Sequence, residues 1–344
     1  ENAYVAYYNW KRGVRAQGYD ASGNPNLQVL VGPARSAEQS PPEEAIPEIA
    51  LCAEDVSLKG GGTVKRYRVG GVIPSTQAWV DTEQEFADAM GGEIIDAAGC
   101  LSIKVGAARS TAFAVTADEF LIGQEIERQD VAPIQSRFNR IQLSYVSLAH
   151  AGGWLTTPLR ADAAARAEDG KDIDESAPLR LVTSGTQAQR ISQIRLRANR
   201  LQRRLAVPVG PKFCLIEPGD WGTVTSARHT GGATRTFVVD KVAHYAERSH
   251  LWLIETASSV YAWTPSTDEI TPGAVQPSPS TPPGAAALSS FAVSAITIAG
   301  AGGAQVPALR FTWTAVTDPS IRSVLIEVER VIDGVGQGNI AHYY

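Results

Sequence analysis

The chain is short of cysteine, methionine, histidine and aromatic residues, and these shortages narrow what it can be. Its 344 residues include 3 Cys, 1 Met and 5 His, and aromatic residues make up 7%. Cys52, Cys100 and Cys214 lie far apart in apolar surroundings, an odd and unspaced set that is neither a disulfide framework nor a zinc site. Buried free thiols, assembled in a reducing cytoplasm, are the expectation. No run of 18 apolar residues occurs, so no membrane-spanning helix is expected. No signal-peptide pattern follows Glu1, and the expectation is an internal piece of a longer protein. The formal net charge of -5 argues against a general nucleic-acid binder. With 44% hydrophobic and 19% charged residues, the composition supports packed cores, and the length suits roughly two to four domains.

Recognisable catalytic patterns are also missing. Nucleophilic catalysis needs Ser or Cys beside a His and an orienting acid. None of His150, His229, His244, His250 and His342 sits in a G-x-S-x-G or similar context. There is no H-E-x-x-H, C-x-x-C, phosphate-binding loop or dinucleotide fingerprint. His244 and His250 fall on neighbouring strand-like stretches and read as ordinary sheet residues. The stretch "EDGKDIDE" (168–175) carries five carboxylates, but Asp169, Asp172 and Asp174 miss the register of a calcium loop, so a solvated acidic loop is expected. No cofactor, metal or catalytic residue is assigned.

What is present is mixed helix and strand. Residues 1–20 read as a helix with Tyr4, Tyr7 and Tyr8 on one side, broken at Gly13 and Gly18. Residues 46–56 read as an amphipathic helix through Ile46, Ile49, Ala53 and Val56. "RYRVGGVI" from Arg66 is strand-like, and Thr82 with Glu85 has the spacing of a capping box that opens a short helix ending at Gly91-Gly92. A strand pair follows around Ala97–Gly99, and Thr116 with Glu119 repeats the capping-box spacing. "FNRIQLSYVSL" from Phe138 alternates as a half-buried strand, with Ile141, Leu143 and Tyr145 on one side. Residues 151–182 look like a polar excursion.

The segment from Ser184 to Ser226 is the most distinctive. Ile191, Ile194, Ala198, Leu201 and Leu205 recur at helical spacing over 187–205, with Pro208 limiting the far end. "FCLIEPGDWGTVTS" then reads as strand, tight turn and strand. Strands "RTFVVDKVAHY" and "HLWLIETA" make 207–263 antiparallel β structure, barrel-like or a tight sheet. From Ser176 to Ile216 there are eight Lys or Arg and no acid. Three uses remain open: phosphate neutralisation, an exposed face paired with the acidic loop upstream, or a subunit interface that employs Arg195, Arg200 and Arg203. On either of the last two, replacing Arg200 or Arg203 by Glu is expected to leave the domain folded. Six prolines in 264–284 mark an extended linker. "PALRFTWTAV" and "RSVLIEVERVIDG" fit the first half of a fibronectin type III-like sandwich, with about 60 of roughly 90–100 residues present.

Four blocks in order resemble siphophage tail-tip proteins, namely the lambda-like host-specificity protein and gene-transfer-agent tail hubs. They are "RYRVGGVIPSTQAWVDTEQEFADAMGGEIIDAAGCLSIKVG", "SRFNRIQLSYV", "SGTQAQRISQIRLRANRLQRRLAVPVG" leading into "CLIEPGDWGTVTS", and the fibronectin-like end; they span about 66–344. The resemblance implies an α+β, β-rich, multidomain tail hub. Its parts would be an N-terminal helical and loop part (1–65), an α+β hub domain (66–150), the acidic excursion (151–183), and a helix plus antiparallel β domain (184–263). The Pro-rich linker (264–284) and a partial fibronectin type III-like domain (285–344) would follow. It further implies a non-enzymatic homotrimer that caps the tail tube beneath the distal tail protein, with the tape measure protein nearby. Downstream domains would reach the host receptor, and DNA would pass transiently without sequence-specific binding. The location implied is the virion tail tip, assembled in the bacterial cytoplasm. Gln187, Ala188, Arg190, Pro218, Gly219 and Asp220 match the family blocks and are expected to be structural. A tail-associated peptidoglycan or polysaccharide hydrolase remains the alternative.

Overall fold

The computed structural model describes residues 1–19, 25–97, 99–150, 152–270, 289–314, 326–332 and 335–343. The chain divides into two units, Glu1–Gly273 and Ala274–Tyr344. Mixed helix and sheet with a predominance of strands makes it an α+β, β-rich protein.

The first unit holds two apolar cores. One gathers helices α1 (Ala3–Arg12), α2 (Pro42–Ala53) and α3 (Trp79–Ala89) around Tyr4, Tyr7, Trp10, Phe86 and Met90. It continues into a four-stranded sheet built on the strand Arg140–Ser147. That strand alternates as its sequence demands: Ile141, Leu143 and Tyr145 are buried, and the residues between them are half-buried. Residues 151–182, expected as a polar excursion, supply the other three strands. Gly153–Thr156 and Arg160–Ala161 pair antiparallel with Arg140–Ser147, and Asp174–Leu179 pairs parallel with it on the other side. The misreading has a physical cause. These strands are short and polar, and the apolar side chains that anchor them, Leu179, Leu181 and Val182, cluster at the far end.

The second core belongs to a six-stranded sheet, in the order Phe113–Thr116, Trp221–Thr225, Thr234–His244, Ser249–Glu255, Arg204–Val209, Glu127–Gln129. All neighbours are antiparallel except the first pair. Val207, Val224, Phe237, Val239 and Leu251 fill its inner face. A single bridge between Phe120 and Val209 carries the chain from one side of the sheet toward the other. Pro208 fits within its strand because the neighbour Glu127–Gln129 pairs only with residues 204–206, and at the bridge beyond them Pro208 serves as acceptor, its carbonyl taking the Leu121 N–H at 3.1 Å.

The helix Gly185–Arg200, called α5 after the short α4 (Ala163–Asp169), joins the two cores and packs on Arg140–Ser147. It begins at Ser184, whose hydroxyl caps the Gln187 N–H. A side chain at Gly185 would collide with the Tyr145 ring, since a Cβ there would lie 2.7 Å from the hydroxyl oxygen. The helix ends at Arg200, well short of Pro208, so the expected stripe is split: Ile191 packs in the first core, Ile194 is buried against a cleft between the cores, and Leu205 sits on a strand in the second.

Several local expectations are corrected. After Gly13 (φ 86°) the chain becomes a strand, Val14–Tyr19, rather than continuing as a helix. In α2 the buried face is Ala45, Glu48 and Cys52, and Ile46 is 64% exposed. Thr82 does not open a helix but sits inside α3, which starts at Trp79; its hydroxyl donates to Ala78 O. "FCLI" completes a short 3-10 turn, Pro211–Phe213, and continues as turn and loop, not as a strand. Of the cysteines only Cys52 is buried; Cys100 is intermediate and Cys214 exposed.

In the second unit, Ala292–Ala299 pairs antiparallel with Gln305–Thr312, and Ile326–Ile332 with Val335–Tyr343. Most of the expected linker, 271–284, lies outside the described residues, whereas 264–270 belongs to the first unit.

Candidate functional site

The residues singled out in sequence converge on α5 and its surroundings. The first half of this helix is buried nearly all round, polar residues included: Gln187, Gln189, Arg190, Ser192 and Gln193 are shielded along with Ile191. Buried polar groups must be matched, and here the side chains of α5 serve as partners for chain segments that have no sheet to join. The stretch expected to be a strand at Arg66 is one such segment. Gln187 accepts from Arg68 N–H (3.0 Å) and donates to Arg68 O (2.9 Å) and Ala89 O (2.9 Å). Arg190 donates to Arg66 O at 2.6 Å. The N-terminal residues complete the set, with Ala3 N–H bound to Tyr67 O and Val69 N–H to Glu1 O. Burial pushes the Arg190 guanidinium down to about 10, against the opposing pull of Tyr67.

Arg195, Arg200 and Arg203 are partly buried, and each has an acidic partner within the chain. Arg195 meets Asp88 at 2.7 Å and Arg203 meets Asp130 at 2.8 Å. Arg200 meets Glu168 at 2.7 Å and Asp169 at 2.9 Å, so it is tied to the acidic stretch upstream. Asp169 is fully shielded and also takes hydrogen bonds from Asn139 and Arg137. Burial opposes its ionisation, but the hydrogen bonds of Asn139 and Arg200 and the charges of Arg200 and Arg137 prevail, holding its carboxyl below the ordinary range. Asp172 binds Arg140 and Arg166, and Asp174 binds Arg140. Glu168, Asp169, Asp172 and Asp174 thus act as counter-charges. Among the described residues no three His, Cys, Asp or Glu gather as metal ligands.

Pro218, Gly219 and Asp220 form a tight turn. Gly219 has φ 88°, which favours glycine, and donates to Val239 O at 2.7 Å. The Asp220 carboxylate accepts from Glu217 N–H at 3.0 Å. Gly219 also borders a cleft of about 470 Å³ between the two cores, walled by Asp88, Glu93, Ile194, Arg195, Trp221 and Tyr261. Glu93 opens onto this cleft with protein around it; that enclosure, together with the charge of Asp240, raises its carboxyl. Four of the histidines are dispersed: His150 bonds Ser147, His244 bonds Ser249, His250 meets the Trp252 ring at a tilt and His229 meets the Phe120 ring edge-on. Their partners are hydroxyls and aromatic rings, not the carboxylate that a catalytic imidazole needs to orient it.

Residues 82–242 match the model of a family described as "Putative phage tail protein". That span contains α5, the acidic counter-charges and most of both sheets. No curated protein matches the chain. Among solved structures, a chain of the virion of a native gene transfer agent particle shares 19% identity at a TM-score of 0.47, covering 61% of this chain. The present chain spans 44% of that one. A tail protein from Neisseria meningitidis MC58 shares 14% identity at a TM-score of 0.39, covering 71% of this chain and 78% of its own length. Prophage tail protein gp18 from Listeria monocytogenes EGD-e shares 13% at 0.31, covering 57% and 56%. With every TM-score below 0.5, these likenesses carry no argument about function.

Sequence reasoning missed Gln189 and read Asp169 as part of a solvated acidic loop that could pair with the arginines, not as a shielded charge. Both carried a signal of a kind. Two glutamines two apart on a helix point to different sides, so only a helix buried on more than one face can employ both. Asp169 stands just before Gly170, a left-handed helix cap that lets the chain fold its acid back onto Arg200.

Proposed function

We propose that this chain is a structural protein of a phage or phage-like tail: a homotrimeric hub that caps the tail tube beneath the distal tail protein. In this reading the tape measure protein lies nearby, domains beyond the hub carry host attachment, and DNA passes without sequence-specific contact. The observation that carries the reading is the match of residues 82–242 to a phage tail family. The ordered sequence blocks add the hub and the trimer. The site geometry supports a structural role. The charge on α5 is committed to holding backbone segments and to internal ion pairs, and the matched residues Gln187, Arg190 and Asp220 hold chain rather than face a reaction centre. The six-stranded sheet is proposed to work as the barrel-like hub domain, and the hairpins of 289–343 as part of a fibronectin type III-like domain. Native mass spectrometry of the purified chain tests the assembly: a species of three chains is expected, and a strict monomer at micromolar concentration in the presence of the distal tail protein overturns the hub reading.

A further inference from the structure

Residues 264–270 show a contact pattern unlike the rest of the first unit. The short helix Pro265–Asp268 contains no buried residue, and Ile270 is 40% exposed. This segment is held by polar groups. Gln189, itself 1% exposed, accepts from Ile270 N–H at 2.9 Å and donates to Ile270 O at 2.8 Å. Arg160 donates to Asp268 O and lies over the Trp263 ring, 5.4 Å from its centroid. Lys59 contributes its backbone N–H to the Glu269 carboxylate at 2.7 Å and its ammonium to Glu269 O at 3.3 Å. Arg197 stands 3.9 Å from the Asp268 carboxylate while donating to Ser259 O and Ala262 O. Two residues earlier on α5, Gln187 grips the Arg68 backbone in the same bidentate way, but that grip lies beneath the N-terminal residues and beside buried Tyr67.

The difference decides what each clasp can do. Opening at Arg68 exposes apolar core. Opening at Ile270 exposes mostly groups that water can satisfy, and the apolar burial lost is confined to the covered parts of Pro265 and Ile270. We propose that residues 264–270 are a polar strap, latched by Gln189, that opens and closes on α5 while the remainder of the first unit stays folded. Opening moves the point at which the chain leaves the unit from Ile270 back to about Trp263. Seven freed residues then lengthen the exit segment by up to ~23 Å. The strap stands on these contacts alone, whether or not the chain serves in a tail.

Residue-resolved hydrogen exchange on the full chain tests it. The Ile270 N–H is protected by Gln189, so its exchange reports the latch. In the unaltered chain it should exchange at least ~100-fold faster than the amides of Ile191–Leu196, which lie on the buried helix. Gln189→Ala should speed Ile270 exchange by a further ~10-fold, the scale of one lost hydrogen bond, and leave Ile191–Leu196 unchanged. Exchange of Ile270 at the rate of α5, or equal acceleration of both by the variant, overturns the strap. Ile270→Pro removes the N–H that Gln189 accepts from, together with the Ile side chain, and changes no residue of α5. In that variant proteinase K should cleave between Thr264 and Ile270 ~10-fold faster, with the preceding residues left as one folded fragment. Unchanged cleavage, or a cut that first enters 204–255, overturns it as well.

Discussion

Asp169 shows how a single buried charge organises this protein. Its carboxylate takes hydrogen bonds from Arg137, Asn139 and Arg200 and has no contact with solvent. Removing its charge while keeping its shape, as in Asp169→Asn, leaves Arg137 and Arg200 facing a neutral group. The expected loss is roughly 3–5 kcal/mol, read as a lowered urea midpoint. The direction of the pH dependence is set by the same contacts. A carboxyl whose folded value lies below its unfolded value, near 3.9, contributes stability that is fully present above about pH 4 and is lost as the pH falls through the folded value. The unaltered protein should therefore lose stability on acidification through this window, and Asp169→Asn should flatten that part of the curve.

At the level of secondary-structure elements, α5 acts through side-chain amides as much as through apolar packing. Gln187→Ala would strand the Arg68 N–H and two carbonyls in a buried site. With each unmet group worth about 1–3 kcal/mol, a loss of at least ~3 kcal/mol in thermal or urea unfolding is expected. The arginines of α5 and the turn after it separate by the burial of their partners. Arg200→Glu sets a third carboxylate against Asp169 and Glu168. It should destabilise the fold, contrary to the tolerance that an exposed face implies. Arg203→Glu opposes Asp130, whose side chain is 41% exposed, and should be borne far better. Circular dichroism melts of the two variants, side by side, check the order; equal behaviour would show that the buried ion pair at Asp169 does not govern.

For the whole molecule, the proposal of a structural tail component predicts no hydrolysis. The cleft between the two cores offers Asp88, Glu93 and Glu255, but Asp88 is bound to Arg195 at 2.7 Å and Glu255 to Arg235 at 2.5 Å. A peptidoglycan zymogram with the purified chain should stay dark, without a clearing zone. Clearing abolished by Glu93→Gln would replace the structural reading with an enzymatic one. The strap adds a mechanical element to the first unit. A unit held together by two apolar cores can keep its shape while a polar segment at its exit moves.

Local patterns with strong periodicity were legible from the residues alone. The alternation of Ile141, Leu143 and Tyr145 specifies a half-buried strand, and Ile191 with Ile194 specifies a helix face, because period alone decides which side chains share a side. The turn at Pro218, Gly219 and Asp220 was legible for a similar reason: its backbone geometry is set by the residues themselves. The placement of polar residues, by contrast, was settled by long-range packing. Apart from the two-residue spacing of the glutamines, nothing local distinguishes Gln187, Gln189 and Arg190 from solvent-facing residues. They are buried because segments 66–70 and 264–270 pass over α5 without joining a sheet, and their backbone groups must find partners there. The same holds for 151–182. Its short polar strands become part of the first core only because Arg140–Ser147 offers both of its edges. Long-range pairing, set by which edges and backbone groups remain unsatisfied, is what a reading of neighbouring residues does not contain.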